Sequence, residues 1–306
     1  MVIGRAAGLT DTGRKRRQNE DAFVCDPPLF AVADGMGGAQ AGELASRLAA
    51  AAIEEGGSRL DGEEGVVGII RTANARIFER ALQDPAVAGM GTTVTVALVD
   101  EHAGRLTLAH VGDSRAYRFR DGSLEQLTTD HSLVGELVRS GRLTEAEAAV
   151  HPHRSVITRA LGTEAEVDVD TLTIELATGD LVLLCSDGLP AMVPANEIAR
   201  VLDRTGGDPH LAADALVRAA NDAGGEDNVT VVVFELVDGT PTHRATPATP
   251  VEATTADDPE STAAMESTEE DVRRHGPGKG SRWPALVLIL MLLAIAALVL
   301  WWSFLR

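Results

Sequence analysis

Residues 31–38, with the sequence AVADGMGG, constrain the fold of this chain more than any other stretch. The apolar run at 29–33 predicts a short buried strand, which ends at the carboxylate of Asp34. Three glycines follow within four residues, so the backbone there can adopt positive φ and let a ligand come close. An Asp-Gly pair after a strand is commonly a simple turn. A carboxylate beside bare backbone also suits a hard cation, which binds side-chain and carbonyl oxygens.

The same pattern of an acidic side chain beside glycine or at a strand end recurs along the chain. Asp113, Asp187 and Asp227 are further carboxylates of this kind, and Glu20 and Asp21 lie together in the polar cluster RRQNED at 16–21. Taken singly, each is typical of a turn. Taken jointly, they indicate a shared cation site.

The types of ligand available favour one class of metal. Carboxylate and carbonyl oxygens select Mg²⁺ or Mn²⁺ rather than zinc, and the eight histidines are scattered without metal-ligand spacing. Two such ions about 3.5–4 Å apart can bridge a water, lower its pKa and hold a phosphoryl group for in-line attack. Cys25 and Cys185 form no CxxC pair, so neither a disulfide framework nor a thiolate zinc site is expected.

Composition excludes some partners. The chain carries 46 acidic and 27 basic residues, a formal net charge of −19, which argues against nucleic acid as the ligand. Such a charge fits metal binding, and it fits an acidic solvated surface equally well. With 306 residues the chain can bury an ample core in one large domain or two small ones.

Hydrophobic patterns predict the elements of the first 238 residues. Nearly continuous, β-branched apolar runs predict strands at 92–99, 105–111, 116–120, 181–185 and 228–236. Helical periodicity predicts helices at 39–55, 64–82, 194–202 and 211–221. Because helices come in blocks between blocks of strands joined by tight turns, antiparallel sheets are favoured over repeated βαβ units.

Three segments of different character divide the chain. Residues 1–238 form the globular domain, whereas residues 239–282 are rich in Thr, Pro, Ala and Glu, which predicts a disordered linker. Residues 283–305 carry no charge and, at about 1.5 Å rise per residue, are long enough to cross a ~30 Å hydrocarbon core. Tryptophans lie at both ends of this span and most of the flanking basic residues precede it. The positive-inside rule therefore predicts a C-terminal, single-pass transmembrane helix with the globular domain in the cytoplasm.

The order and spacing of the carboxylate clusters resemble the metal-dependent, type 2C protein serine/threonine phosphatases, in particular a bacterial membrane-anchored branch. The match extends to the sequences MGTT at 90–93, TDHS at 129–132 and RSVITRALG at 154–162, and it covers about residues 8–236. The resemblance implies an α+β fold, a four-layer α-β-β-α sandwich of two packed antiparallel β-sheets flanked by antiparallel helix pairs. The predicted transmembrane helix would follow this domain.

The resemblance also implies roles for residues in the first two clusters. Arg16, four residues before Glu20 as in the family, would bind the phosphate group. Glu20 and Asp34, together with the carbonyl of Gly35, would hold one Mn²⁺ or Mg²⁺ ion.

The second ion would be held by Asp34, Asp187 and Asp227. Asp21 would be a ligand through water or a support for other ligands, and Asp113 would face a third, weaker cation. The catalytic set implied by the family is therefore Arg16, Asp34, Asp187 and Asp227.

The chain departs from the family pattern at two positions. Met36 stands where eukaryotic members carry a histidine proposed to protonate the leaving group, so this proton falls to water, with His131 and His151 as conceivable substitutes. Ala191 stands where the family often has an aspartate that completes the third cation site. Residues 133–162 would form a flap beside the site, or else an ordinary helical insertion.

The function implied by the resemblance is hydrolysis of phosphoserine and phosphothreonine on cytoplasmic proteins at the inner membrane face, by a water activated between two metal ions. In bacteria such enzymes oppose serine/threonine kinases, whose activation loops are then plausible substrates. One alternative is a pseudophosphatase that binds phosphoproteins without turnover, against which the intact aspartates argue. Another is a regulator phosphatase of the anti-anti-sigma type, whose relatives generally lack the long flap.

Overall fold

The computed structural model of the chain describes residues 1–57 and 62–239. The strands in this part are β1 Val2–Asp11, β2 Asp21–Asp26, β3 Leu29–Met36, β4 Gly91–Thr92, β5 Val94–Asp100, β6 Arg105–Val111, β7 Arg115–Arg120, β8 Ser123–Gln126, β9 Asp170–Glu175, β10 Leu181–Cys185 and β11 Val229–Val237. The helices are α1 Ala39–Gly56, α2 Gly62–Gln83, α3 Leu133–Arg139, α4 Glu145–Ala149, α5 Gly188–Met192, α6 Ala195–Arg204 and α7 Pro209–Asp222.

The strands form two antiparallel sheets. The first sheet has the order β1-β11-β10-β7-β8, and the second has the order β2-β3-β5-β6-β9, with the short β4 paired to β3. In the second sheet, β2 and β3 form a hairpin in which Asp21 lies opposite Asp34. In the first sheet, the near-continuous apolar strands β10 and β11 are central and buried on both faces.

Three apolar clusters fill the spaces between four layers. The middle cluster joins the two sheets, and in it the rings of Phe30 on β3 and Phe234 on β11 stack with centroids 4.0 Å apart. A second cluster packs α1 and α2 on the outer face of the second sheet, where Ala45 and Ile70 are fully buried. The third packs α6 and α7 on the first sheet. The predicted α-β-β-α sandwich is thus confirmed for the described residues.

Every strand and helix predicted from the sequence is present, with ends shifted by a few residues. The strands β1, β2, β8 and β9 were not predicted. The exposed face of β9 and the glycines and arginine of β1 hide the period-two alternation that marks a strand.

The predicted linker at 239–282, except its first residue, and the predicted transmembrane helix at 283–305 lie outside the described residues. Among residues 1–57 and 62–239, no helix combines the length and the apolar character needed to cross a bilayer.

The segment at 133–162, predicted to form a flap, contains the short helices α3 and α4. Its two ends are held together by the Leu133 amide, which donates to the Val156 carbonyl at 2.9 Å. The C-terminal end of the segment is fixed by a β-bridge between Leu161 and Thr92. The Leu161 amide donates to the Thr92 carbonyl at 2.8 Å, and the Thr92 amide donates to the Leu161 carbonyl at 3.1 Å. Since Thr92 directly precedes Thr93, which binds the Asp34 backbone, the segment at 133–162 is joined to the strand that carries Asp34.

Candidate active site

The two sheets bring the predicted carboxylates together at one end of the sandwich. Asp34 lies near the end of β3, Asp187 follows β10, and Asp227 precedes β11. The charge environment of Asp34 includes Asp21, Asp187, Asp113 and Asp227, so residues more than 190 positions apart in the chain form one acidic cluster.

Asp34 is fixed through its backbone. Its amide donates to the hydroxyl of Thr93 at 3.1 Å, and its carbonyl accepts from the Thr93 amide at 2.9 Å and the Thr92 hydroxyl at 2.8 Å. The Asp34 carboxyl lies near those of Asp21 and Asp187, whose charges act on it. Because the backbone is held on both sides, the carboxylate is presented to the cluster with little freedom.

Asp21 is a buried carboxylate that is only half satisfied. Its Oδ2 accepts hydrogen bonds from the hydroxyls of Ser186 at 2.8 Å and Thr230 at 2.6 Å. Its Oδ1 is buried and has no hydrogen-bond partner among the described residues. Since a buried, unpaired carboxylate oxygen is costly, Asp21 fits a place beside a bound cation.

Glu20 is buried against bare backbone. A Cβ at Gly42 on α1 would lie 2.0 Å from Glu20 Oε2, and a Cβ at Gly35 would lie 2.1 Å from the Gly42 carbonyl oxygen. Any side chain at these two positions would displace the Glu20 carboxylate or separate β3 from α1. Gly35 therefore allows the close approach of the α1 backbone to β3, whereas the approach of a ligand stays a prediction.

Arg16 is the cation of this cluster. Its Nη2 donates to Asp227 Oδ2 at 2.8 Å, and its Nη1 lies 3.7 Å from Glu20 Oε1. Asn228 connects the same groups. Its side-chain Oδ1 accepts a hydrogen bond from the Glu20 backbone amide at 2.8 Å, and its backbone amide donates to Asp227 Oδ1 at 2.8 Å. These contacts make Asn228 a support for Glu20 and Asp227.

Asp113 lies in the turn between β6 and β7, where its buried Oδ1 has no hydrogen-bond partner among the described residues. The turn is held by His131, whose Nδ1 accepts from the Gly112 amide at 3.0 Å while its own amide donates to the Gly112 carbonyl at 2.7 Å. The accepting Nδ1 places the proton of the neutral ring on Nε2, which lies 3.1 Å from Asp170 Oδ2. With both ring nitrogens engaged, His131 acts as a structural clamp.

Burial and mutual repulsion oppose ionisation of the cluster. Burial, followed by the charges of Asp21 and Asp187, raises the pKa of Asp34 well above its usual value. Burial is also the first cause of the raised pKa values of Asp21, Asp113 and Asp187. A divalent cation would reverse this balance by favouring the charged carboxylates.

The donor set fits such a cation, although the ligands are not already arranged around it. The oxygens are carboxylates and carbonyls, and two buried ones lack partners, as Mg²⁺ or Mn²⁺ would require. Within residues 1–57 and 62–239, no three His, Cys, Asp or Glu side chains surround a common point as ligands do. Ion binding would therefore draw the carboxylates together and compete with Arg16 for Asp227.

Comparison with known proteins finds one family model and several similar proteins, all of them phosphatases. The family model for Protein phosphatase 2C matches residues 15–229. The "Serine/threonine phosphatase stp" of Listeria welshimeri is 40% identical over 238 residues, covering 74% of this chain and 93% of that protein. The "Serine/threonine protein phosphatase PstP" of Mycobacterium tuberculosis is 42% identical over 245 residues, covering 78% of this chain and 46% of that protein.

Solved structures agree. The crystal structure of the Mycobacterium tuberculosis serine/threonine phosphatase PstP/Ppp has 40% identity and a TM-score of 0.73, covering 77% of this chain and all of that one. The catalytic domain of PstP in complex with two manganese ions has 38% identity and a TM-score of 0.71, covering 78% of this chain and 100% of that one.

The fold and the carboxylate cluster define a phosphatase of the metal-dependent class. The chain belongs to the protein phosphatase 2C family. Its activity is that of a metal-dependent serine/threonine protein phosphatase.

Sequence reasoning missed several residues that support the site. The hydroxyls of Thr92, Thr93, Ser186 and Thr230 all bind a carboxylate or its backbone, but only Thr92 and Thr93 lie in a motif that the sequence singled out, the MGTT match at 90–93. Thr230 lies within an apolar strand, where a threonine is ordinary. Its only signal is its position three residues after Asp227 at the start of β11.

Proposed function

We propose that the acidic cluster binds two Mn²⁺ or Mg²⁺ ions and hydrolyses phosphoserine and phosphothreonine in proteins. One ion would be held by Glu20, Asp34 and the Gly35 carbonyl, and the other by Asp34, Asp187 and Asp227. The observation that carries this proposal is the cluster of carboxylates at one end of the sandwich, in which the buried Oδ1 atoms of Asp21 and Asp113 lack hydrogen-bond partners among the described residues. The PstP catalytic domain, a relative, is described in complex with two manganese ions.

Ions of this kind would lower the pKa of a coordinated water and polarise the phosphoryl group. The chain itself would supply the remaining parts. Asp34, held by Thr92 and Thr93, would position the ligands without reorganisation of the backbone. Arg16, half-exposed beside Asp227, would turn its guanidinium to the phosphate oxygens in bidentate fashion.

The leaving-group proton and the third cation have few candidates in this chain. Met36 offers no proton, and His131 is already bonded through both ring nitrogens, so water is the proton donor in this proposal. Asp113 would hold a third cation weakly, because Ala191 supplies no second carboxylate.

We further propose that the domain acts on phosphoproteins at the cytoplasmic face of a membrane and opposes serine/threonine kinases. The uncharged span at 283–305 and the basic residues that precede it support the anchor and its orientation. A linker of about 44 residues would keep the domain within tens of ångströms of the bilayer and raise its local concentration there.

The central experiment measures release of phosphate from a phosphothreonine peptide, with and without Mn²⁺, for the full chain in detergent and for a chain that stops after Asp238. Both should be active only with the metal, and with the same kcat on a small phosphate ester. Cell fractionation of the two proteins tests the anchor. Absence of turnover by both proteins with Mn²⁺ would contradict the activity, whereas full-length protein in the soluble fraction would contradict only the anchor.

A further inference from the structure

Positive charge that lacks a local partner is concentrated at the site. Most arginines of the described part form an ion pair with a carboxylate. The Arg and Lys side chains of the described part that have no carboxylate oxygen within 4.0 Å of their nitrogens are Arg14, Lys15, Arg17, Arg71, Arg139 and Arg142. In a chain of net charge −19, three of these cations stand in one run next to Arg16.

We call Arg14, Lys15 and Arg17 the basic rim. All three are exposed. The backbone of this run is fixed to the loop that carries Asp227, because the amides of Arg14 and Lys15 both donate to the Gly225 carbonyl, at 2.7 and 3.2 Å. The basic rim therefore has a defined place at the edge of the site, although its side chains make no ion pair among the described residues.

The segment at 133–162 contacts the same loop through Arg154. Arg154 Nη2 lies 3.8 Å from Glu226 Oε2, in the residue before Asp227. The basic rim and Arg154 thus both border the loop that positions Asp227.

This arrangement has an electrostatic consequence. Neighbouring cations without anions repel each other, and an approaching anionic segment relieves that repulsion. Within a Debye length of about 8–10 Å, such a rim attracts anions and raises the rate at which they meet the site. Since four consecutive residues extend over at most about 14 Å, the rim matches a peptide segment of a few residues.

We propose that the basic rim is a docking surface for acidic side chains that flank the phosphorylated residue in a protein substrate. This proposal rests on the proposed function, in which Arg16 of the same run binds the phosphate. With the phosphate at Arg16, the residues on either side in sequence lie closest to the neighbouring segment of a bound peptide. Substrates with aspartate or glutamate beside the phosphoresidue are therefore preferred over neutral ones.

The variants are chosen to keep the fold. The aliphatic part of Arg14 packs at Gly225, where a Cβ would lie 2.8 Å from Arg14 Cγ, so Arg14 is left unchanged. The test protein is the full chain carrying Lys15→Glu and Arg17→Glu. The matched control is Arg71→Glu, an exposed and equally unpaired arginine on α2.

The assay compares kcat/KM with Mn²⁺ on three substrates: a phosphothreonine peptide with acidic flanks, the same peptide with Asn and Gln flanks, and p-nitrophenyl phosphate. The double variant should lose about tenfold on the acidic peptide, mainly through KM, and this loss should shrink as salt is raised. The neutral peptide and the aryl phosphate should change less than about twofold. Arg71→Glu should leave the ratio between the two peptides as in wild type.

An equal loss on the acidic and neutral peptides would overturn the docking surface. A similar change of the ratio in Arg71→Glu would also overturn it, because net charge alone would then explain the effect. Wild-type activity on the neutral peptide tests the proposed function separately. If that activity is absent with Mn²⁺, the function fails, whereas an unchanged peptide ratio with full activity refutes only the rim.

Discussion

Replacing Asp34 by asparagine should separate activity from stability. The charges of Asp21, Asp187 and Asp113 all act on Asp34. Asparagine has almost the same shape, and the backbone contacts with Thr93 do not involve the side chain. The variant should therefore fold normally while one of the crowded charges is gone.

The size of the effect follows from the charge that is removed. At an effective dielectric constant of about 20, two unit charges about 4 Å apart repel by about 4 kcal/mol. Because burial and these charges raise the pKa of Asp34, bound protons already cancel part of this repulsion, so a gain of roughly 1–3 kcal/mol in the free energy of unfolding is expected without metal. At about 2–4 °C per kcal/mol for a domain of this size, the unfolding midpoint should rise by roughly 2–12 °C.

Activity should change in the opposite direction. In the proposed site Asp34 contacts both ions, so turnover at saturating Mn²⁺ should fall below about a tenth of the wild-type rate, a loss of more than about 1.4 kcal/mol in transition-state stabilisation. Wild-type protein should be stabilised by Mn²⁺ through mass action, and the variant should gain little.

The assay is thermal unfolding with chelator and with Mn²⁺, run beside turnover of a phosphothreonine peptide. Asp203→Asn, an exposed aspartate on α6, is the control and should change neither quantity. More than a tenth of wild-type turnover in Asp34→Asn would refute the two-metal assignment. A lower midpoint without metal would refute the reasoning from crowded charge.

Three further predictions test other parts of the molecule. Arg16→Ala should raise KM for a small aryl phosphate about tenfold with metal affinity nearly unchanged, while Arg17→Ala should do little; the reverse would mean that the first motif is misaligned. Ala191→Asp should tighten a weak cation at Asp113, and identical calorimetric isotherms for both proteins would mean that no third site forms. Burial, followed by the charge of His131, lowers the pKa of His110 to about 4. Between about pH 6.5 and 4, the unfolded chain therefore binds a proton at His110 that the folded protein does not bind. The free energy of unfolding should fall by up to about 3 kcal/mol as pH drops through that window, and His110→Asn, with an acceptor near the Nδ1 position that contacts Thr95, should remove this part of the acid sensitivity in urea titrations.

The fold was predictable where local pattern and burial agree. β10 and β11 are buried on both faces, so their nearly continuous apolar runs identify them as strands in the sequence. β9 is an edge strand whose side chains face solvent, and it is held by its pairing with β6 rather than by its own pattern. No local signal distinguishes such a strand from a loop, because its partner lies some 65 residues earlier in the chain.

The carboxylates of the site could be predicted from the sequence, whereas the hydroxyls that support them could not. A carboxylate at a strand end beside glycine leaves a mark in the sequence, because the need for bare backbone excludes most other residues there. The hydroxyls that hold Asp21 leave no such mark: Ser186 and Thr230 lie 165 and 209 residues away from it, and each is an ordinary residue in its own segment. Their function depends on the register of β11 against β1 and β10, which places Thr230 beside the carboxylate only once both sheets have formed. Substitutions at these hydroxyls should therefore weaken the site without changing any motif, which is why the sequence alone locates the charges of this enzyme better than the groups that hold them in place.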